Sequence, residues 1–276
     1  MGLRKAVLME FDPRPIGVFD SGIGGLTVLK VLAERFPHES FLYLGDTARL
    51  PYGSKSPQTI RRYSEQNIRY LLSQGVKAVV IACNSASSQF TESEFEGVSV
   101  YNVIHPGSCK ALSLTKNKKI GVLGTRATIK SAAYTQELLC LDENVEVFSQ
   151  ACPLFVPLAE EGWDHDPITN LVAYRYVNPL VQTGIDTLIL GCTHYPILKE
   201  SIRKVTGQGI QLVDSGEAIA DLMAQDRERS RFKPAPAEVL QNIQILTTDS
   251  SEHFTSLARK TLDPVPAHEF RVVDIN

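Results

Sequence analysis

Val79-Val80-Ile81-Ala82-Cys83-Asn84-Ser85-Ala86-Ser87-Ser88 is the stretch around which this chain is organised. Val79, Val80 and Ile81 form a β-branched run of the kind that suits a strand buried on both faces of a parallel sheet. Small residues follow at once. The strand therefore runs into a turn at Cys83, which is expected at its carboxyl end, with Asn84 or Ser85 placed to cap the next helix. That edge of an open α/β sheet is where such folds bind ligands.

Working outward, the same pattern returns. A strand over 186–190 leads into Gly191-Cys192-Thr193-His194-Tyr195-Pro196, a second copy of the opening stretch. Lys119-Ile120-Gly121-Val122-Leu123 likewise repeats Pro15-Ile16-Gly17-Val18-Phe19, and Gly124-Thr125 stands where Asp20-Ser21 stood. Ile16 to Ile120 is an offset of 104 and Cys83 to Cys192 an offset of 109, a difference that loops absorb.

Between these points strands and helices alternate. The first half reads as strands at 16–19, 40–44, 79–81 and 98–103. Its helices span 26–36, 56–73 (Ser56 as N-cap, Pro57 at N1) and 86–95, with an irregular loop at 48–53. The second half reads as strands at 119–123, 145–148 and 186–190, with a helix ending at Leu141 and a helical segment through Tyr176 and Leu180. The tail carries a helix through Ala218 and Met223, a strand at 243–247, a helix at 251–260 and a strand at 270–273. The fold class that follows is α/β: two pseudo-symmetric, doubly wound lobes with mainly parallel sheets and a cleft between them. Residues 15–108 and 215–276 are expected to form lobe one, and 109–214 lobe two. Residues 1–14 are a lead-in.

Composition narrows the function. The chain has 276 residues, 43% of them hydrophobic, enough for one large or two ordinary domains, and a net charge of −3. Its basic residues cluster only at Arg61-Arg62 and 116–119, so no nucleic-acid partner is expected. No apolar run is long enough to span a membrane and the N-terminus lacks a signal segment, so a cytoplasmic protein is expected. Five cysteines, an odd number, argue against a disulfide framework. Cys192-Thr193-His194 lacks further ligands at finger-like spacing, so no metal is expected. Gly22, Gly24 and Gly25 fail to complete Gly-x-Gly-x-x-Gly because position 27 is Thr, which argues against a dinucleotide.

Two cysteines at equivalent places in a repeat suggest a symmetric task, and inversion of a carbon stereocentre needs two like bases on opposite faces. One thiolate removes a proton and the facing thiol returns one. The strand-to-helix setting of Cys83 and Cys192 favours the thiolate. Ser21, Asn84, Ser85 and Thr193 are candidate donors to the nascent carbanion and its carboxylate. Asp20 either caps the following helix or faces the cleft beside Cys83; His194 either orients or protonates beside Cys192 or bonds to backbone. Glu160 and Glu161, taken alone, read as a solvated helix face. Cys109, Cys140 and Cys152 read as packing residues. A cysteine phosphatase is disfavoured because neither cysteine loop carries a phosphate-clamping Arg, and a nucleophilic hydrolase has no use for two cysteines. A two-lobed binding protein without catalysis likewise has no use for both.

Taken together, 20–25, Pro51-Tyr52-Gly53, 82–87, 153–160 and 191–196 resemble the glutamate racemases, cofactor-independent enzymes of bacterial peptidoglycan synthesis. The resemblance runs from about Pro15 to Asp214. It implies that Cys83 deprotonates D-glutamate with Asp20 assisting, and that Cys192 deprotonates L-glutamate with His194 and Glu160 assisting. It implies that Ser21, Pro51, Tyr52, Gly53, Asn84, Ser85, Thr125, Thr128 and Thr193 line the glutamate site. It implies no cofactor, a cell-wall role in supplying D-glutamate, and a homodimer as an open arrangement. Ser85 stands where Thr is more usual and Ala159 where Val is more usual, and Glu161 leaves the assisting acid ambiguous by one residue. An aspartate racemase of the same superfamily is the alternative within this resemblance.

Overall fold

The computed structural model describes residues 11–229, 231–249, 252–266 and 269–275. In chain order the elements are β1 (Ile16–Asp20), α1 (Leu26–Arg35), β2 (Phe41–Gly45), α2 (Pro57–Ser73), β3 (Ala78–Ile81), α3 (Asn84–Ser87), β4 (Glu94–Phe95) and β5 (Val98–Asn102). Then follow α4 (Ile104–Leu114), β6 (Lys119–Gly124), α5 (Arg126–Ser131), α6 (Ala133–Leu141), β7 (Glu146–Ala151), α7 (Phe155–Glu160), α8 (Pro167–Val181) and β8 (Thr187–Gly191). The chain closes with α9 (Lys199–Thr206), β9 (Gln211–Asp214), α10 (Ser215–Glu228), β10 (Ile243–Thr247), α11 (Glu252–Leu262) and β11 (Glu269–Val272).

Two sheets result. One runs β11-β10-β2-β1-β3-β5-β4, parallel except for β4, and the other runs β7-β6-β8-β9, all parallel. Order β2-β1-β3-β5 in the first corresponds to β7-β6-β8-β9 in the second, so the sequence repeat is a repeat of topology. Strands β1, β2, β3 and β8 are buried along their whole length, as continuous apolar runs demand when helices cover both faces. Apolar clusters fill each face: Leu29, Leu32 and Ile219 on one side of the larger sheet, Ile60, Leu71 and Phe90 on the other. Burying each such side chain stabilises by about 1.5–3 kcal/mol. Helices α11, α1, α10, α4 and α6 pack in series, forming one layer behind both sheets.

Ser56 caps α2 as expected, its hydroxyl accepting from the Thr59 amide at 3.2 Å, with Pro57 at N1. The helix expected over 86–95 is not formed. Only a short helix ending at Ser87 forms, backbone turn bonds continue as far as Phe90, and the chain then leaves the helical path for β4. Glu96 and Gly97, both at positive φ, then fold β4 back antiparallel onto β5. The helix ending at Leu141 is broken in two by Ala132 in the left-handed region. Strand β9 adds a fourth strand to the second sheet that the sequence reading did not include. Residues 11–14 of the expected lead-in are tied down, since Asp12 N donates to the Pro234 carbonyl and Lys77 Nζ to the Asp12 carbonyl. Residues 1–10 and the expected helix start at Ser251 lie outside the described residues.

No helix among the described residues is long and apolar enough to cross a membrane.

Candidate active site

The carboxyl ends of β1 and β3 in one sheet face those of β6 and β8 in the other across a cavity of about 330 Å³, toward the small end of the range for ligand pockets. Cys83, just past β3, and Cys192, just past β8, both line it and both are buried. Of the residues singled out in the sequence, Ser21, Pro51, Tyr52, Gly53, Asn84, Ser85, Thr125, Glu160, Thr193 and His194 also line it. Asp20 and Thr128 do not. They lie behind the wall, with Thr128 Oγ1 within 3.0 Å of Thr125 Oγ1 and 3.3 Å of Ser85 Oγ. A 2.9 Å contact between Ser85 and Thr125 closes a three-hydroxyl cluster that joins the two sheets.

Each cysteine has its own polar surroundings. The Cys83 thiol donates to Ser21 Oγ at 3.7 Å. Burial, and next the Asp20 charge, push this thiol well up, outweighing the Ala86 amide and the Ser21 hydroxyl. The thiolate-favouring effect expected of a helix N-terminus is therefore overridden at Cys83, where α3 has only four residues to supply it. Asp20 is fully buried: its Oδ2 accepts from the Gly22 amide (3.0 Å) and its Oδ1 from the Thr193 hydroxyl (3.1 Å). Burial pushes its carboxyl up, opposed by the His194 charge and by those hydrogen bonds. Asp20 thus satisfies loop amides and faces the cysteine region at once; Gly25 is the N-cap of α1.

Around Cys192 the arrangement is linear. His194 Nδ1 lies 3.8 Å from Cys192 Sγ and its Nε2 lies 3.0 Å from Glu160 Oε1. Burial alone lowers the imidazole pKa, but hydrogen bonds to Cys192 and Glu160 together with their charges carry it up to about 10. Glu160 lines the cavity from the end of α7, whereas Glu161 is exposed and caps that helix. Of these two glutamates, Glu160 is the one within hydrogen-bond distance of the histidine.

Other placements differ from expectation. Asn84 does not cap α3; Cys83 occupies the cap position, and the Asn84 amide nitrogen donates to Tyr134 Oη (2.8 Å) and Ser215 Oγ (3.0 Å). Tyr52 lines the cavity, while its hydroxyl donates to Asp46 and accepts from Asn67 Nδ2 at 2.9 Å. Gly24 is required by close approach, since a Cβ there would sit 2.4 Å from both His194 Nδ1 and Thr193 Oγ1. The cavity is also lined by Gly22, Leu50, Ser54, Arg126, Pro153, Val156 and Pro157, which the sequence reading did not assign to the site. For Arg126 the signal was its place directly after Thr125.

Comparison with known proteins agrees with this geometry. The sequence model of the Asp/Glu/Hydantoin racemase family matches residues 24–223. A glutamate racemase from Sulfurihydrogenibium sp. (strain YO3AOP1) is 44% identical over 264 residues, covering 95% of this chain and 98% of that protein. The crystal structure of glutamate racemase from Francisella tularensis in complex with D-glutamate superposes with a TM-score of 0.87 at 37% identity, covering 96% of this chain and 99% of that one. Glutamate racemase from Thermus thermophilus, in complex with β-chloro-D-alanine, gives a TM-score of 0.84 at 40% identity, covering 96% and 98%. Two α/β lobes with a cysteine at each facing sheet edge are the frame of a racemase, an isomerase. The chain belongs to the Asp/Glu/hydantoin racemase family, and the relatives just described are its glutamate racemases.

Proposed function

We propose that this chain interconverts L- and D-glutamate without a cofactor, using Cys83 and Cys192 as the two bases. The observation that carries the reading is the pair of buried cysteines lining one cavity from two facing sheets, each with its own acid or histidine network.

The division of labour follows from the surroundings. Cys192 takes the α-proton of L-glutamate as thiolate, with the protonated His194 beside it and Glu160 holding the imidazole. Burial keeps the Cys83 proton in place, so Cys83 delivers it to the opposite face of the planar carbanion, giving D-glutamate. In the reverse direction Cys83 is the base and Cys192 the acid, with Asp20 assisting Cys83. Solvent exchange then returns the thiols to their starting protonation. The hydroxyls of Ser21, Ser85, Thr125 and Thr193, with the Pro51–Gly53 rim, hold the carboxylates and ammonium; Asn84, its amide hydrogens taken by Tyr134 and Ser215, fixes that part of the wall, and Thr128 holds Thr125 and Ser85 in place.

The sheet membership of β10 and β11 supports dividing the chain into lobe one (15–108 and 215–276) and lobe two (109–214). D-glutamate made by a cytoplasmic enzyme of this kind serves peptidoglycan synthesis, and a homodimer is the assembly we assign.

The test is substitution of each cysteine. Cys83→Ala and Cys192→Ala are each expected to fold as wild type, judged by circular dichroism and thermal melting, and to lose net racemisation. Near wild-type racemisation by either variant overturns the two-base mechanism.

A further inference from the structure

Each of the two cleft cysteines has a chain neighbour that touches the same buried side chain, Tyr134 on α6. Asn84, directly after Cys83, donates through its amide nitrogen to Tyr134 Oη at 2.8 Å. Gly191, directly before Cys192, lies against the ring: a Cβ there would stand 3.1 Å from Tyr134 Cε2. The opposite edge of the ring meets Gly107, where a Cβ would stand 3.3 Å from both Cε1 and Oη. Gly107 belongs to α4, by which the chain crosses from the larger sheet to the smaller. Ser215, which shares the Asn84 amide at 3.0 Å, begins α10 on the way back. Tyr134 is buried and does not line the cavity.

Both contacts are tight. A Cβ at Gly191 would also stand 2.5 Å from the Leu123 carbonyl oxygen, so the residue before Cys192 is confined by β6 on one side and the Tyr134 ring on the other. At the other end, Asn84 has both amide hydrogens committed, to Tyr134 and Ser215, and its Oδ1 lies 3.4 Å from Ser215 Oγ. Burial pushes the Tyr134 phenol well up, against hydrogen bonds to Ser215 and Asn84, so the ring between the two edges stays neutral. One stiff aromatic side chain thus reaches from the residue after the first cysteine to the residue before the second. Two bases acting on opposite faces of one carbon need their sulfurs at a fixed separation, and a misplacement of about 1 Å is worth about a hundredfold in rate.

Resting on the two-cysteine reading above, we propose that Tyr134 is a positioning residue that sets the spacing of Cys83 and Cys192, its hydroxyl holding the residue after the first and its ring backing the residue before the second. Because Tyr134 does not line the cavity, its effect falls on proton transfer more than on capture of substrate.

The experiment compares wild type with two variants. Tyr134→Phe keeps the ring and loses the hydroxyl; Gly107→Ala sets a methyl group against the ring edge opposite Gly191. For each, kcat and KM are measured with L- and D-glutamate, together with the primary isotope effect on α-deuterated substrate, circular dichroism and thermal melting. Tyr134→Phe is expected to lower kcat about tenfold in both directions while KM moves by no more than about twofold. Its isotope effect should rise, because proton transfer between displaced sulfurs then limits turnover. Gly107→Ala should show the same pattern with its melting temperature retained, alanine being the better residue inside a helix. In Tyr134→Phe, a wild-type kcat and isotope effect, or a lower kcat with the isotope effect unchanged, as a smaller folded fraction would give, overturns the role of Tyr134 and leaves the function standing. If Tyr134→Phe does not fold, the isotope effect of Gly107→Ala decides in the same way. Wild type that does not exchange the α-hydrogen of glutamate overturns the two-cysteine reading and this role with it.

Discussion

Thr193, the residue after the second cysteine, donates a 3.1 Å hydrogen bond from Oγ1 to Oδ1 of Asp20, the buried acid near the first cysteine. The two halves of the repeat are therefore joined at the chemistry itself. Thr27 reinforces the junction, its Oγ1 lying 2.9 Å from both the Thr193 and the Gly24 carbonyls. The acid beside the first cysteine is thus held in part by a residue beside the second.

Removing that hydroxyl leaves a buried carboxyl oxygen without its donor, which costs about 1–3 kcal/mol. Thr193→Val is expected to lower both the melting temperature and kcat/KM, with the larger loss in the D-to-L direction, where Cys83 is the base. Thr193→Ser, which keeps the donor, should recover most of both. Equal behaviour of the two variants in melting and circular dichroism assays would falsify a role for the hydroxyl.

Asp20 and His194 attend different thiols, so their removal should be directional. In single-turnover assays Asp20→Asn is expected to slow D-to-L more than L-to-D, and His194→Ala the reverse. Equal losses in both directions mean that these residues only hold the site together.

His194 is raised from an ordinary value of 6.5 to about 10 by its two partners, against the effect of burial. Below 6.5 folded and unfolded chains both carry the proton, and the stabilisation is complete. Above it only the folded state holds the proton, so stability is lost as pH rises through about 10. Melting temperatures measured from pH 6 to 10.5 should fall more steeply for wild type than for His194→Asn. Parallel curves would contradict a protonated His194.

Gly24→Ala forces a methyl group against His194 and Thr193, and overpacking of this kind costs about 1–3 kcal/mol. Activity should drop sharply, because the displaced residues belong to the site. Gly209→Ala, where a Cβ meets nothing within 4 Å, serves as the comparison and should leave activity intact. Comparable kinetics for the two variants would show that the close approach at Gly24 carries no function.

Much of this architecture was legible in the chain because apolar β-branched runs ending in small residues have few other uses. Val79 to Cys83 and the strand before Cys192 both declared strand, edge and candidate base, and their repetition declared the second lobe. What stayed hidden depends on neighbours distant in sequence. Asn84 looks like a helix cap, but it is drawn to Tyr134 and Ser215, which are 50 and 131 residues away. Residues 88–95 have helix-forming character, and the Glu96-Gly97 turn overrides it by pairing β4 with β5. Asp20 and Thr128 sit behind the cavity wall, a distinction of depth that sequence spacing does not encode. His194 could be read as a loop histidine until Glu160, 34 residues earlier, was found 3.0 Å from its ring.

The most direct measurement is incubation of the purified protein with L-glutamate, and separately L-aspartate, in D2O without added cofactor, following enantiomer ratio and α-deuterium together. A two-base enzyme with Cys192 and Cys83 on opposite faces gives D-glutamate that carries solvent deuterium at the α-carbon, while the remaining L-glutamate is still protiated early in the reaction. Activity confined to aspartate would contradict the substrate. D-glutamate that retains the original α-hydrogen, or no exchange with either amino acid, would contradict the two-cysteine account itself.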